Sequence, residues 1–288
     1  MIVVKIIGGL GNQLFQYSYA KSLQQKGYKV KIDISAFKSY KLHGGYFLDG
    51  YLIDIEEATV RDLSLYRAPN IITKLKRKIG LENINFIEED VFFFSENLLL
   101  PKDDSYIEGY FQSEKYFLVI RDVILKQISL KKNLSAYGVS IQKKISACNV
   151  SCSIHIRRGD YLTNAATNKL HGVLNLDYYR SSIELLEKRF SNNIQYFIFS
   201  DDIEWAADNL KINNSTLIEN DLSRDPNEDI YLMSLCSHNI IANSSFSWWG
   251  AWLNKNLHKN VFAPKAWVLE NKINKLTFHL IPNNWTRV

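Results

Sequence analysis

The sequence predicts an α/β protein of two domains, and three observations carry that expectation. At 288 residues the chain is longer than a single hydrophobic core usually supports. It opens with an apolar strand, a glycine loop and a helix, the unit from which doubly wound folds are built. From Ser151 onward strands and helices alternate with regularity, which predicts a parallel sheet with helices on both faces. The polar segment from Ser129 to Ser140 is the expected boundary, giving domains of residues 1–135 and 136–288.

In chain order, Met1 to Ile7 reads as the first strand, and Gly8-Gly9-Leu10-Gly11-Asn12-Gln13 turns it into a helix. Phe15, Tyr19 and Leu23 recur every four residues along that helix, and Gly27 stands where a terminating glycine is expected. Such a loop suits a phosphate: Gly9 and Gly11 let backbone N–H groups approach an anion, the helix N-terminus adds positive potential, and Asn12 adds an amide donor. The loop also resembles a dinucleotide fingerprint, with Asp33 near the ribose-ligand position, but Leu14 stands where that pattern needs its third glycine. A tight turn that simply requires glycine is the plainer reading. Ser35 to Pro101 carries little signal beyond a loop at Gly44-Gly45 and basic helical stretches between Arg61 and Lys78. Lys74, Lys76, Arg77 and Lys78 read first as a solvated helix face, and second as a peripheral contact with an anionic inner membrane. Tyr106 to Tyr110 reads as a strand and Glu114 to Gln127 as a helix.

In the second half, Ser151 to Ile156 is short, apolar and β-branched, and it ends in Arg157-Arg158-Gly159. A helix follows with Tyr179, Ile183, Leu186 and Phe190 on one face, then a strand from Gln195 to Phe199, a helix around Trp205 and a short strand near Leu217. Asp225-Pro226-Asn227-Glu228 has the form of a helix start with a capping-box glutamate. His238 to Ala242 is the next strand, and Ser244-Ser245-Phe246-Ser247-Trp248-Trp249 opens another helix.

Composition narrows the function. Hydrophobic residues at 46% and charged residues at 23% are ordinary for a soluble globular chain, and no apolar run approaches the roughly 18 residues of a membrane span. No signal peptide is evident at the start, so a cytoplasmic location is expected. Cys148, Cys152 and Cys236 show no metal-ligand spacing and read as reduced core residues. A net charge of +5 favours an anionic partner. Nucleic acid is not expected, because the aromatic residues lie in apolar periodic segments and do not interleave with a basic patch.

Arg157/Arg158, Asp201/Asp202 and Ser244/Ser245 all fall at carboxyl ends of expected parallel strands, where open α/β sheets bind ligands. Guanidinium forks match phosphate oxygens, and hydroxyls at a helix N-terminus suit the remaining ones. A carboxylate such as Asp201 can accept the adjacent N1–H and amino group of guanine, whereas uracil offers one donor on that edge. Each residue also has a plainer reading: Asp201 as a helix cap with Glu204, the serines as caps, the tryptophans as core, His155 as a satisfied buried histidine. The adjacent Asp201-Asp202 pair is not the Asp-x-Asp signature of a metal-dependent sugar transferase, so no metal is expected.

Taken together, Gly-Gly-Leu-Gly-Asn-Gln at Gly8, His-Ile-Arg-Arg-Gly-Asp-Tyr at His155, Phe-Ser-Asp-Asp at Phe199 and Ser-Ser-Phe-Ser-Trp-Trp-Gly-Ala-Trp at Ser244 resemble the bacterial α1,2-fucosyltransferases of glycosyltransferase family 11. The resemblance implies a GT-B fold of two Rossmann-like domains facing a central cleft, acceptor-side first and GDP-sugar-binding second. It implies inverting, metal-independent transfer of L-fucose from GDP-fucose to the 2-hydroxyl of a β-galactoside acceptor glycan of the O-antigen or lipopolysaccharide type. It assigns Arg157 to the β-phosphate, Arg158 to the diphosphate or to support of the motif, His155 and Asp201 to guanine, Ser245 and Phe246 to the phosphates, and Asn12 to the reacting centre, with Asp202 nearby. Leu162 to Thr167 contains no acid where some related enzymes carry a proposed base. Asp160 is then the candidate base. The competing readings are an NAD-type oxidoreductase built on Gly9, Gly11 and Asp33, and a non-catalytic carbohydrate-binding protein.

Overall fold

The computed structural model describes residues 1–39, 44–64, 66, 85–90, 92–190, 193–219 and 225–288, the side chains of residues 160 and 166 excepted. Lys74, Lys76, Arg77 and Lys78 lie outside the described residues. The chain forms two compact units, Met1–Ser129 and Leu130–Val288.

In the first unit, β1 (Ile2–Lys5), β2 (Val30–Asp33), β3 (Asn85–Glu88) and β4 (Ser105–Glu108) make a parallel sheet in the order β2-β1-β4-β3. The helix Leu10–Gln25 is buried from Leu10 to Leu23 except at Asn12, so the expected apolar stripe is only one side of an enclosed helix. Tyr19 of that stripe stacks on Phe111 at 4.0 Å. The opposite side is polar yet enclosed, because its amides satisfy loop backbone. Gln13 Nε2 donates to the carbonyls of Gly8 and Gly45, both at 2.8 Å, and Gln13 Oε1 accepts from the Phe47 N–H at 3.0 Å. Gln16 accepts from the Ile7 N–H at 2.9 Å and donates to Gly109 O at 2.8 Å. Gly27 ends the helix with φ +90°, a conformation that favours glycine.

Two expectations for this unit change. Glu114 to Gln127 is not one helix: it divides into 3₁₀ turns at Glu114–Tyr116 and Leu118–Ile120 before the α-helix Arg121–Gln127. Phe117, between them, leaves helical geometry at φ −140° and is buried against Phe15, so aromatic packing overrides local propensity. β3 was not legible. It is four residues at the sheet edge, with the partly exposed Phe86 among them.

The second unit is a six-stranded parallel sheet in the order β10-β9-β8-β5-β6-β7, with β5 at Ser151–Ile156, β6 at Gln195–Ser200, β7 at Ser215–Leu217, β8 at His238–Ile240, β9 at Val261–Ala263 and β10 at Thr286–Arg287. Central β5 is buried along its whole length, as its run of small and branched residues predicts. Cys152, Ile154 and Ile156 pack with Tyr179, Ile183 and Leu186 of the helix Leu176–Phe190. Trp248, Trp249 and Trp252 of the helix Ser245–Leu253 are core, with Trp248 Nε1 donating to Leu280 O at 2.8 Å.

The helix Pro226–Leu235 starts as expected at Asp225, whose carboxylate accepts from the Asn227 N–H at 3.0 Å. Glu228 does not close that capping box. It accepts from Ser135 N–H at 2.6 Å and Ser135 Oγ at 2.8 Å, bracing the start of the helix Ala136–Ser146 instead. Among the described residues no helix is long and apolar enough to cross a membrane.

Candidate active site

Because β5, β6 and β8 are parallel neighbours, their carboxyl ends share one edge of the second sheet. Arg157/Arg158, Asp201/Asp202 and, after a short loop, Ser244/Ser245 emerge there. Residue spacing in sequence says nothing about this meeting; the strand order creates it.

Asp201 is the hinge pin of the arginine turn. Its Oδ1 accepts from the Arg158 backbone N–H at 2.8 Å, and its Oδ2 lies 3.1 Å from the Arg157 guanidinium. Gly159 lets the carboxylate approach closely, since a Cβ at that position would stand 3.0 Å from Asp201 Oδ2. Asp202 takes the role the plainer reading gave to Asp201. It caps the helix Ile203–Asn209 by accepting from the Trp205 N–H at 3.2 Å, and its other oxygen pairs with Arg158 Nε at 3.0 Å. Arg158 also lies over the Trp205 ring at 3.9 Å, and Arg157 stands 5.8 Å from the Tyr161 ring. Arg157 keeps 28% of its side chain exposed. The two cations are thus oriented before any ligand arrives, the condition under which a guanidinium stabilises an oxyanion most strongly.

His155, on β5, is 5% exposed, and its ring stands 5.6 Å from that of Phe246. Burial, with the Arg157 charge adding to it, pushes its pKa down to about 3, so the ring is neutral at physiological pH. It is not a satisfied core histidine: among the described residues Nδ1 is buried without a hydrogen-bond partner, which a ligand would relieve. Ser244 is the N-cap of the helix Ser245–Leu253, accepting from the Phe246 N–H at 3.3 Å. Ser245, the first helical residue, is half-buried. Asp160 belongs to the short helix Gly159–Thr163, and its side chain lies outside the described residues.

The remaining candidates belong to the first unit, at the carboxyl edge of its sheet. Gly8 adopts φ +87°, Gly9 is the N-cap of the helix Leu10–Gln25, and Gly11 is buried in its first turn. Asn12 Oδ1 accepts from Gln112 Nε2 at 2.8 Å. Asp33 is not placed as a ribose ligand: it is 6% exposed and accepts from Tyr106 Oη at 2.7 Å and the Ser35 N–H at 2.8 Å. Leu14 is fully buried where the fingerprint needs glycine.

Several contributors were not read from the sequence. In sequence Trp205 reads only as a helix residue; a tryptophan four positions after a strand-end aspartate is the available signal. Gln13 and Gln16, three apart, lie on the side of the helix opposite the apolar stripe, and the sequence does not mark them as buried. Glu89 and Gln112 carry no local signal, because their partners are distant in sequence.

Residues 94–285 match the family model described as Glycosyl transferase family 11. The chain is 36% identical to the Alpha-1,2-colitosyltransferase of Escherichia coli, covering all of this chain and 99% of that protein. It is 34% identical to the O-antigen biosynthesis glycosyltransferase WbnK of Escherichia coli, over 94% of this chain and 96% of that protein. The fold is similar to that of the NodZ alpha-1,6-fucosyltransferase soaked with GDP-fucose, with a TM-score of 0.51 at 12% identity over 88% of this chain and 91% of that one. Two Rossmann-like parallel sheets and this likeness establish a GT-B-type fold, and a match over more than half of the chain together with relatives above 30% identity at full length shows that the protein belongs to glycosyltransferase family 11.

Proposed function

We propose that the protein transfers L-fucose from GDP-β-L-fucose to the 2-hydroxyl of a terminal β-galactoside, with inversion and without a metal ion. The observation that carries this reading is the half-buried Arg157 guanidinium, held against Asp201 at the carboxyl end of β5, on the sheet edge from which the helix Ser245–Leu253 also starts after β8. That arrangement suits a diphosphate leaving group. The α1,2 linkage is supported by the name of the 36% identical relative.

In the proposed reaction the acceptor oxygen attacks the anomeric carbon from the face opposite GDP. The C1–O bond breaks with its electron pair passing to the diphosphate, and the hydroxyl proton passes to a base, for which Asp160 is the candidate. Arg157 meets the charge developing on the β-phosphate. Arg158, held by Asp202 and Trp205, supports it. Ser244, Ser245 and Phe246 offer hydroxyl and backbone N–H donors to the phosphates. His155 Nδ1 and Asp201, whose carboxylate has lone pairs beyond the two in use, address guanine. In the first unit, Gly9 and Gly11 let backbone N–H groups approach the donor's phosphates, and Asn12 addresses the reacting centre. The two fixed cations take the part a divalent ion plays elsewhere.

A second reading keeps the linkage and changes the sugar: the relative's name makes a colitosyl unit the alternative donor group. An acceptor of the O-antigen type is supported by the name of the 34% identical relative. The test is calorimetric binding of GDP, UDP and NAD with and without EDTA, followed by product analysis with GDP-fucose and lactose. EDTA-insensitive GDP binding with a 2-fucosylated product is expected. Tight GDP binding with no transferred sugar would favour a binding protein, and NAD binding would restore the oxidoreductase reading.

A further inference from the structure

The first unit contains a buried carboxylate that the proposed chemistry does not use. Glu89, one residue past β3, is 6% exposed. Its Oε2 accepts two successive backbone N–H groups, Tyr110 at 2.8 Å and Phe111 at 2.6 Å, and its Oε1 accepts from Tyr116 Oη at 3.0 Å. Successive N–H groups turned to one oxygen form a nest, and here the oxygen that fills it belongs to the protein's own carboxyl group. The nest requires an unfavourable backbone: Phe111 is fully buried at φ +50°, in the left-handed region. Gly109 leads into it because a Cβ there would stand 2.5 Å from Glu89 Cβ.

What this loop delivers is the next residue. Gln112 donates through Nε2 to Asn12 Oδ1 at 2.8 Å, while its own Oε1 is buried without a partner among the described residues. Asn12 is in turn the one residue from Leu10 to Leu23 that is not fully buried. A turn that served only to cover the sheet would not need a strained phenylalanine held by a buried carboxylate to aim an amide at that residue. A protein stores such strain where geometry is to be fixed.

We propose that Glu89 and Gln112 are positioning residues for Asn12: Glu89 holds the Tyr110-Phe111 turn, the turn presents Gln112, and Gln112 fixes the Asn12 amide for the reaction. This rests on the reading that Asn12 addresses the reacting centre. Turnover, and not affinity for GDP, then depends on the chain of contacts, because it ends on an amide assigned to the reacting centre while the charged diphosphate ligands, Arg157 and Arg158, belong to the second unit.

The test is a double-mutant cycle of Asn12→Ala and Gln112→Ala, with kcat and GDP affinity measured on each variant and Glu89→Gln alongside. Residues acting through one another give non-additive losses. Gln112→Ala is expected to lower kcat about tenfold alone and less than about twofold in the Asn12→Ala background, with GDP affinity unchanged. Glu89→Gln, which keeps one acceptor oxygen for the two N–H groups but removes the carboxylate and turns an N–H₂ toward Tyr116 Oη, is expected to lower kcat in the same sense. Unfolding curves of the same variants identify a loss of fold. Additive losses, or GDP affinity falling in step with kcat, would overturn the inference while leaving the functional reading intact. Absence of product from the unmodified protein would overturn that reading, and the role of Asn12 with it.

Discussion

Asp201 Oδ2 stands 3.1 Å from the Arg157 guanidinium, while Oδ1 of the same carboxylate accepts the Arg158 backbone N–H at 2.8 Å. One side chain just past the end of β6 therefore sets both the direction of a cation and the path of the chain that follows β5. Removing the guanidinium removes a preorganised donor to developing charge. Arg157→Ala is expected to lower kcat at least about a hundredfold, of order 3 kcal/mol, in single-turnover transfer. Near-normal turnover would end the assignment. Asp201→Asn keeps the shape and reverses one end of the pairing, so it is expected to lower kcat in the same direction by a smaller factor.

Trp205 lies under Arg158 at 3.9 Å. A partly buried cation–π contact is worth about 0.5–2 kcal/mol, so Trp205→Ala is expected to weaken GDP binding several-fold, with Trp205→Phe recovering most of it. Calorimetry decides this. Equal loss in both variants would mean that the indole acts by something other than its face.

The buried His155 predicts a direction for acid stability. Its folded-state pKa, near 3, is below the ordinary value of 6.5, so the unfolded chain binds the proton first. Stability is full above about pH 6.5 and falls as pH drops toward 3, by up to about 1.4 kcal/mol per pH unit from this group. His238, pushed down to about 4 by burial and the nearby Arg189 charge, adds in the same sense. His155→Gln should flatten the decline between pH 6.5 and 4 in urea unfolding. An unchanged slope would show that the ring takes up a proton without cost.

Glu89 has the opposite sign. Burial raises its pKa from 4.5 to about 7 against the three donors that favour the anion, with the Asp90 charge adding to the rise. Tyr19 and Tyr116 face it as well. Its contribution to stability is full below about pH 4.5 and is lost as pH rises through 7. Glu89→Gln should remove that dependence, which unfolding at pH 5 and pH 8 would reveal.

Glu228 reaches across the second unit to Ser135. Glu228→Ala is expected to destabilise the protein by about 1–3 kcal/mol in urea, because it leaves the Ser135 N–H without its acceptor. Gly138→Ala should also destabilise, since its Cβ would stand 2.6 Å from Glu228 Oε2. A neutral result for both would mean that solvent replaces this brace.

The alternation of strands and helices after Ser151, the glycine turn into the first helix, the Asp225 cap and the arginine, aspartate and serine clusters at strand ends were all legible in the chain by itself. Each is a local property, set by the period of apolar residues, by backbone freedom at glycine or by a cap a few residues away. Tertiary structure decided the rest. It set the strand order that brings β5, β6 and β8 to one edge, gave the helix cap to Asp202 and left Asp201 to the arginines, and turned Glu228 from its own helix to another. It buried Glu89 under a strained turn that aims Gln112 at Asn12. These depend on contacts between residues far apart in the chain. A carboxylate carries no mark of which distant N–H it will accept, whereas the spacing that makes a strand or a helix is written in its neighbours.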